Sequence, residues 1–191
     1  WQKNSRFVHS DKSCRRKRNM LSFGYLRAGG DCIFMEERSL FPIFLDFSEK
    51  KVVVAGAGTI AKRRVRTLTE YTDNITLIAP EVNDELLSLE KDGKIRILRR
   101  HYEREDLYGA DLVIAASGNR KENMEIHAVC KCMGILVNIP NDSRRSDFVF
   151  PSVVRNGPVV AGVTSGGANP MAAKKLLEQI RLFFAGSKEA K

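Results

Sequence analysis

The stretch Lys51-Val52-Val53-Val54-Ala55-Gly56-Ala57-Gly58-Thr59-Ile60-Ala61 decides the fold. Three consecutive valines favour a strand. Gly56 permits a sharp turn, and Gly58 lets backbone approach a ligand closely. Ala61 fills the third position of a G-x-G-x-x-G/A pattern, where a small side chain lets helix pack on strand. The N–H groups that open the helix can hold a pyrophosphate. A tight glycine turn can also be purely structural. Its place between a strand and a helix favours a dinucleotide site.

Outward from this turn, strand and helix signals alternate. A helix is predicted over about 59–71, with Ile60, Val65, Leu68 and Tyr71 apolar and with Lys62, Arg63, Arg64 and Arg66 read as a solvated face. Further strands are predicted at 74–79, 95–99, 112–116 and 135–139, and further helices at about 82–91 and 120–133, the last capped by Gly134. This alternation predicts an α/β, Rossmann-like parallel sheet with helices on both faces. Phe41 to Phe47 is read as an edge strand or lining. Ligands of such sheets lie beyond the carboxyl ends of the strands. That edge gathers Gly56–Ile60, Pro80-Glu81, Ser117-Gly118 and Asn138–Asp142 as the candidate site.

After residue 142 the pattern changes. Runs at 148–154 and 158–163, joined by Arg155-Asn156-Gly157, read as a β-hairpin. A polar glycine loop, 164–170, and an amphipathic helix over about 170–184 follow. This piece is too small for a core of its own, so it is expected to pack on the first domain, on a second copy, or on both. The expected division is 1–34 as a disordered or non-native extension, 35–142 as the nucleotide-binding domain, 143–186 as a hairpin–helix dimerisation and substrate region, and 187–191 as a tail.

Composition narrows the function classes. With 43% hydrophobic residues the chain can bury a core, and no apolar run is long enough to span a bilayer. The formal charge is +9. Residues 1–34 hold eight Lys/Arg against two acids, hence +6 of that total, and +3 remains for the rest. The basic run Arg15–Arg18 therefore says little about the body, and a nucleic-acid partner is not expected. Cys14, Cys32, Cys130 and Cys132 form no secreted disulfide pattern, so a reducing, cytoplasmic setting is expected. His127 and Cys130 share a helix face but offer no full ligand set, and no metal site is expected.

Several motifs together resemble the precorrin-2 dehydrogenase domain of sirohaem synthases. They are Phe41-Pro42-Ile43-Phe44-Leu45-Asp46, Val54 to Arg64, Ala79-Pro80-Glu81, Ala110 to Ala116, Val137-Asn138-Ile139-Pro140, Phe148 to Ser152, and Thr164 to Pro170. They keep the family's order and cover about residues 40–184. The resemblance implies NAD-dependent oxidation of precorrin-2 to sirohydrochlorin. It also implies a homodimer that exchanges its C-terminal part, and, in some relatives, iron insertion as well.

By that resemblance Gly56, Gly58, Thr59 and Ile60 hold the pyrophosphate and Pro80 and Glu81 sit by the adenosine ribose; Ser117, from the sheet edge, is read as a further cofactor residue. A carboxylate at Glu81 would disfavour the 2′-phosphate of NADP. Alternatively Glu81 only opens the next helix, and Arg63 and Arg64 leave NADP open. The family's acid/base aspartate falls on Asn141, beside Asp142. Either Asp142 takes the role, or no single carboxylate is essential and cofactor positioning does most of the work. Arg144 and Arg145 are placed to meet the carboxylates of the tetrapyrrole, and Ser165 and Gly166 belong to the family's Ser-Gly-Gly loop. His9, His101 and His127 form no evident chelatase site. The rival reading is an NAD-sensing regulatory module without catalysis, against which the Asn138–Ser152 and Ser165–Pro170 matches argue.

Overall fold

In the computed structural model, residues 39–186 are described. The expectations for residues 1–34, for Cys14 and Cys32, and for the tail 187–191 lie outside them.

Val52–Ala55 forms β1, and all four of its residues are buried. α1 (Thr59–Leu68), β2 (Ile75–Ile78), α2 (Asp84–Lys91), β3 (Arg96–Leu98), β4 (Leu112–Ala115), α3 (Arg120–Met133) and β5 (Leu136–Asn138) follow. The five strands make one parallel sheet in the order β3-β2-β1-β4-β5. Because β1 pairs with both β2 and β4, the direction of winding reverses there, and the crevice of a doubly wound sheet opens beyond its carboxyl end.

Alternate residues of each central strand feed opposite faces. Val52 and Val54 join Ala61, Val65 and Leu68 of α1 and Leu86 of α2 on one face. Val53 and Ala55 join Ile126 and Cys130 of α3 and Leu107 on the other. Helices on both faces were the expectation, and the sheet has them. Ala61 is fully buried, so the small third position of the glycine pattern does bring helix onto strand. Asn83 caps α2 with its side chain, Asn119 caps α3, and Gly134 ends α3 at a positive φ of 70°.

The C-terminal hairpin pairs β6 (Ser152–Asn156) with β7 (Val159–Val163), and α4 (Pro170–Gly186) packs against both.

Four expectations need correcting. Residues 41–47 form no strand, and Phe41, Ile43 and Phe44 are largely exposed. β6 starts at Ser152 rather than Phe148, because the segment before it is tied to β5: the Asp147 N–H donates to the Val137 carbonyl at 2.8 Å, and Asn138 Nδ2 donates to the Phe148 carbonyl at 2.6 Å. Asn156 therefore ends the strand, with Gly157, at φ 58°, leading the turn. Finally, Arg64 is not on the solvated face of α1. It is buried, on the same face as Ala61, Val65 and Leu68, while Ile60 is partly exposed.

Candidate functional site

Gly56 is where the architecture of the site is fixed. It sits at φ 104°, in a region that favours glycine. A Cβ there would lie 2.4 Å from the Ala116 carbonyl oxygen and 2.8 Å from Ser117 Cα. The turn after β1 is thus pressed backbone to backbone against the turn after β4. The Gly56 N–H donates to the Ile78 carbonyl at 2.8 Å, and the Ala116 N–H donates to the Ala55 carbonyl at 2.9 Å, which ties the ends of β1, β2 and β4 together.

Gly58 plays a different part. It is the N-cap of α1, in extended conformation, and a Cβ on it would meet nothing within 4 Å. The open side of Gly58 faces a cavity of ≈ 380 Å³ lined by Gly56, Ala57, Gly58, Ile78, Ala79, Pro80, Glu81, Arg100, His101, Tyr102, Ser117, Gly118, Asn119 and Glu122. α1 has no side-chain N-cap hydrogen bond and no acid in its first turn, whereas α2 and α3 are capped by asparagines. The first N–H groups of α1 are therefore left to an anion from outside the chain. A cradle open at Gly58, a helix N-terminus lacking a side-chain cap and a cavity at the winding reversal fit a dinucleotide.

Of the sequence-predicted cofactor residues, Gly56, Gly58, Pro80, Glu81 and Ser117 line this cavity, and Thr59 and Ile60 open α1 beside it. Glu81 does not begin α2, which starts three residues later behind its own cap, Asn83. Ser117 is held by Asn123: its Oγ donates to Asn123 Oδ1 at 2.9 Å, and Asn123 Nδ2 donates to the Ser117 carbonyl at 2.9 Å. Ser117 shapes the loop after β4 through these bonds.

The residues assigned to substrate do not line the cavity. Asp142 pairs with Arg145, and that bond, with the charge of Arg145, holds its carboxyl below the usual carboxylate range. Asn141, Arg144 and Arg145 are exposed. The loop 139–146 is closed by Ser146, whose Oγ accepts from the Ile139 N–H at 2.9 Å and reaches the Asp142 carbonyl at 3.0 Å. Ser165 Oγ accepts from the Asn169 N–H at 3.1 Å, and Gly166, at φ 64°, lies against the side chain of Leu40.

Arg64 was missed as a structural centre. Its Nη1 donates to Asn138 Oδ1, and its guanidinium lies 5.2 Å from the ring centre of Phe150. Its Nε is buried without a partner. Burial, with the nearby charge of Arg63, pulls its pKa down to about 10, so it stays cationic at neutral pH. Neither Arg64 nor Arg63 lines the cavity. The position i+3 from Ala61 and i−4 from Leu68 was the readable signal. The segment Arg100-His101-Tyr102 was also missed, because a loop after β3 carries no motif. The Tyr102 hydroxyl is buried without a partner, and burial pushes its pKa up to about 12.

Among the described residues no cluster of three His, Cys, Asp or Glu could hold a metal ion. The Cys130 thiol is pushed up to about 12, chiefly by burial, which makes it a poor ligand. No helix among the described residues is long and apolar enough to cross a membrane.

Comparison with known proteins gives matches of three kinds. The family model described as "Putative NAD(P)-binding" matches residues 43–152. A siroheme synthase of Psychrobacter sp. is 31% identical over 134 residues, covering 70% of this chain and 28% of its own length. One from Pseudoalteromonas atlantica is 34% identical over 140 residues, covering 73% of this chain and 30% of its own length. The chain thus spans under a third of the length of these relatives. Among solved structures, "SirC, precorrin-2 dehydrogenase" shares the fold, with TM-score 0.62 and 24% identity over 74% of this chain and 69% of that one.

Proposed function

The chain belongs to this NAD(P)-binding family, and from that premise we propose that it oxidises precorrin-2 to sirohydrochlorin, with NAD+ as acceptor, in sirohaem synthesis. The observation that carries the dinucleotide part is the pairing of an α1 N-terminus lacking a side-chain cap with the open side of Gly58, in a cavity at the winding reversal of the sheet. The siroheme synthase relatives support the substrate.

Bound there, NAD+ supplies the hydride acceptor. The N–H groups of Thr59 and Ile60 and the backbone of Gly58 would hold the pyrophosphate, and Glu81 would meet the ribose hydroxyls. Asn123 fixes Ser117, and so the wall formed by the loop after β4. Precorrin-2 gives up a hydride and a proton, and the chain's part is to hold the tetrapyrrole and let the proton leave. Asp142 is within the substrate edge, but its pairing with Arg145 makes it a weak base. This favours proton loss to solvent or a shared role over a single essential carboxylate. Arg144 is exposed, available to a substrate carboxylate.

The proposed division is 35–142 for the cofactor and 143–186 for dimerisation and substrate. A second copy is the proposed cover for α4, where only Leu177 is buried and Met171 and Phe183 are 74% and 72% exposed. A cytoplasmic location is part of this proposal, and ferrochelatase activity is not.

Anaerobic incubation with precorrin-2 and NAD+ tests the reading by NADH formation. One NADH per sirohydrochlorin is expected. Bound NAD+ with no NADH formed would leave a nucleotide-sensing module instead, and sirohaem made only with added ferrous ion would restore the chelatase.

A further inference from the structure

Among the described residues the cavity has one arginine in its wall, and that arginine is already engaged. Arg100 follows β3, on the side of β2 whose end carries Pro80 and Glu81, and it shares the cavity with them. Its Nη1 donates to Asp106 Oδ2 at 2.7 Å and its Nη2 to Asp106 Oδ1 at 2.6 Å. Nη1 also donates to the His101 carbonyl at 3.0 Å, and Glu103 Oε2 lies 3.6 Å away. The Asp106 side chain is only 7% exposed, and it also accepts from the Glu103 N–H at 2.9 Å. The fork is therefore closed on a carboxylate that is itself fixed by the backbone. A 2′-phosphate is recognised by a free guanidinium fork or ammonium. Among the described residues, no other Lys or Arg lines the cavity.

We propose that Asp106 sets the cofactor specificity of this cavity by holding Arg100 in a closed bidentate pair, so that Glu81 meets the 2′-hydroxyl of NAD+ while the 2′-phosphate of NADP+ finds no free cation. This rests on the dinucleotide reading of the cavity. Asp106 is a positioning residue: it acts through Arg100 and touches no nucleotide. Removing its charge opens the bidentate pair, leaving Arg100 with the more distant ion-pair partner Glu103, at 3.6 Å, and turns the edge toward NADP+.

The test is direct binding of NAD+, NADP+, 5′-AMP and 2′-AMP to the full chain by calorimetry, with no tetrapyrrole present, so the substrate assignment plays no part in it. Asp106→Asn removes the charge and keeps an oxygen for the Glu103 N–H. It should raise NADP+ affinity relative to NAD+ by on the order of tenfold, the scale of one charge-assisted hydrogen bond. The same shift should favour 2′-AMP over 5′-AMP. Adding Arg100→Ala to Asp106→Asn should abolish the gain. A folded Asp106→Asn chain with an unchanged NADP+ to NAD+ ratio would overturn the proposal. Arg100→Ala alone covers the case in which Asp106→Asn does not fold. Unchanged NADP+ affinity supports the proposal. A severalfold loss shows that Arg100 already serves the 2′-phosphate and overturns it. A wild-type chain that binds no nucleotide would overturn the dinucleotide reading and this proposal with it.

Discussion

The two sides of the candidate site differ in what surrounds their residues. Around Gly56 and Gly58 everything converges: four loops meet in one cavity, their backbones are tied to one another, and the donors of α1 face outward. Asn141 and Ser165 lie outside that cavity. Asp142 is paired to Arg145 on its own loop, Ser165 is engaged by Asn169, and α4 leaves most of its apolar side chains in solvent. Under the proposed function, cofactor binding would be the work of the sheet edge of one chain, and turnover would depend on surfaces that a second copy completes.

The sharpest way to break the cofactor side is Gly56→Val. Its Cβ would overlap the Ala116 carbonyl at a φ that valine disfavours. A loss of about 3 kcal/mol or more is expected, seen as a drop in melting temperature with loss of NAD+ binding. Gly58→Ala, with open space, should keep the fold and weaken nucleotide affinity alone.

The substrate side breaks elsewhere. Changing Met171 and Phe183 together to Lys should weaken self-association by about 2 kcal/mol or more, lowering turnover per chain in a concentration-dependent way while NAD+ affinity stays constant. Sedimentation with a parallel activity assay reads both. Arg64→Met lies between the two sides. It leaves Asn138 Oδ1 without its donor, so about 1–2 kcal/mol of stability should go, and turnover should fall more than NAD+ affinity because Phe150 loses the guanidinium that packs on its ring.

Acid should act on both sides alike. Burial alone would raise Asp106 and Asp147, but the bonds from Arg100 and Lys131 and from backbone N–H groups hold both carboxyls below the ordinary 3.8. Each binds fewer protons folded than unfolded, so its stabilisation is complete above that value and is lost as pH falls below it. Chemical denaturation at pH 7 and pH 3 should show this as a lower midpoint in acid. The smallest effect is expected from Asp142→Ala. Its loss should fall well short of the roughly 100-fold that removal of an essential general base costs. A larger drop in kcat would return Asp142 to the centre of the mechanism.

The sequence was legible where backbone chemistry dictates form. The valine run, Gly56, Ala61 and Gly134 each admit few conformations, and the parallel sheet followed from them. It was less legible where side chains decide. Arg64 carries a charge, and charges on a helix usually face water, so its burial against Asn138 and Phe150 was overlooked although its spacing placed it inward. The start of β6 was misplaced because Phe148 and Phe150 look like strand residues, while Phe148 is held by a hydrogen bond from Asn138, Asp147 before it is bonded to Val137, and Phe150 packs under Arg64. Arg100 and Asp106 could not be paired without knowing that the short 3-10 turn Arg104–Leu107 brings Asp106 back to Arg100.

The most direct test measures both sides in the same samples. NAD+ binding and anaerobic NADH formation from precorrin-2 are followed over a protein concentration range that spans self-association. The account predicts NAD+ affinity per chain that does not vary and an NADH rate per chain that rises as chains associate. Full turnover by chains shown to be monomeric would contradict the incomplete substrate side, and bound NAD+ with no NADH at any concentration would contradict the function itself.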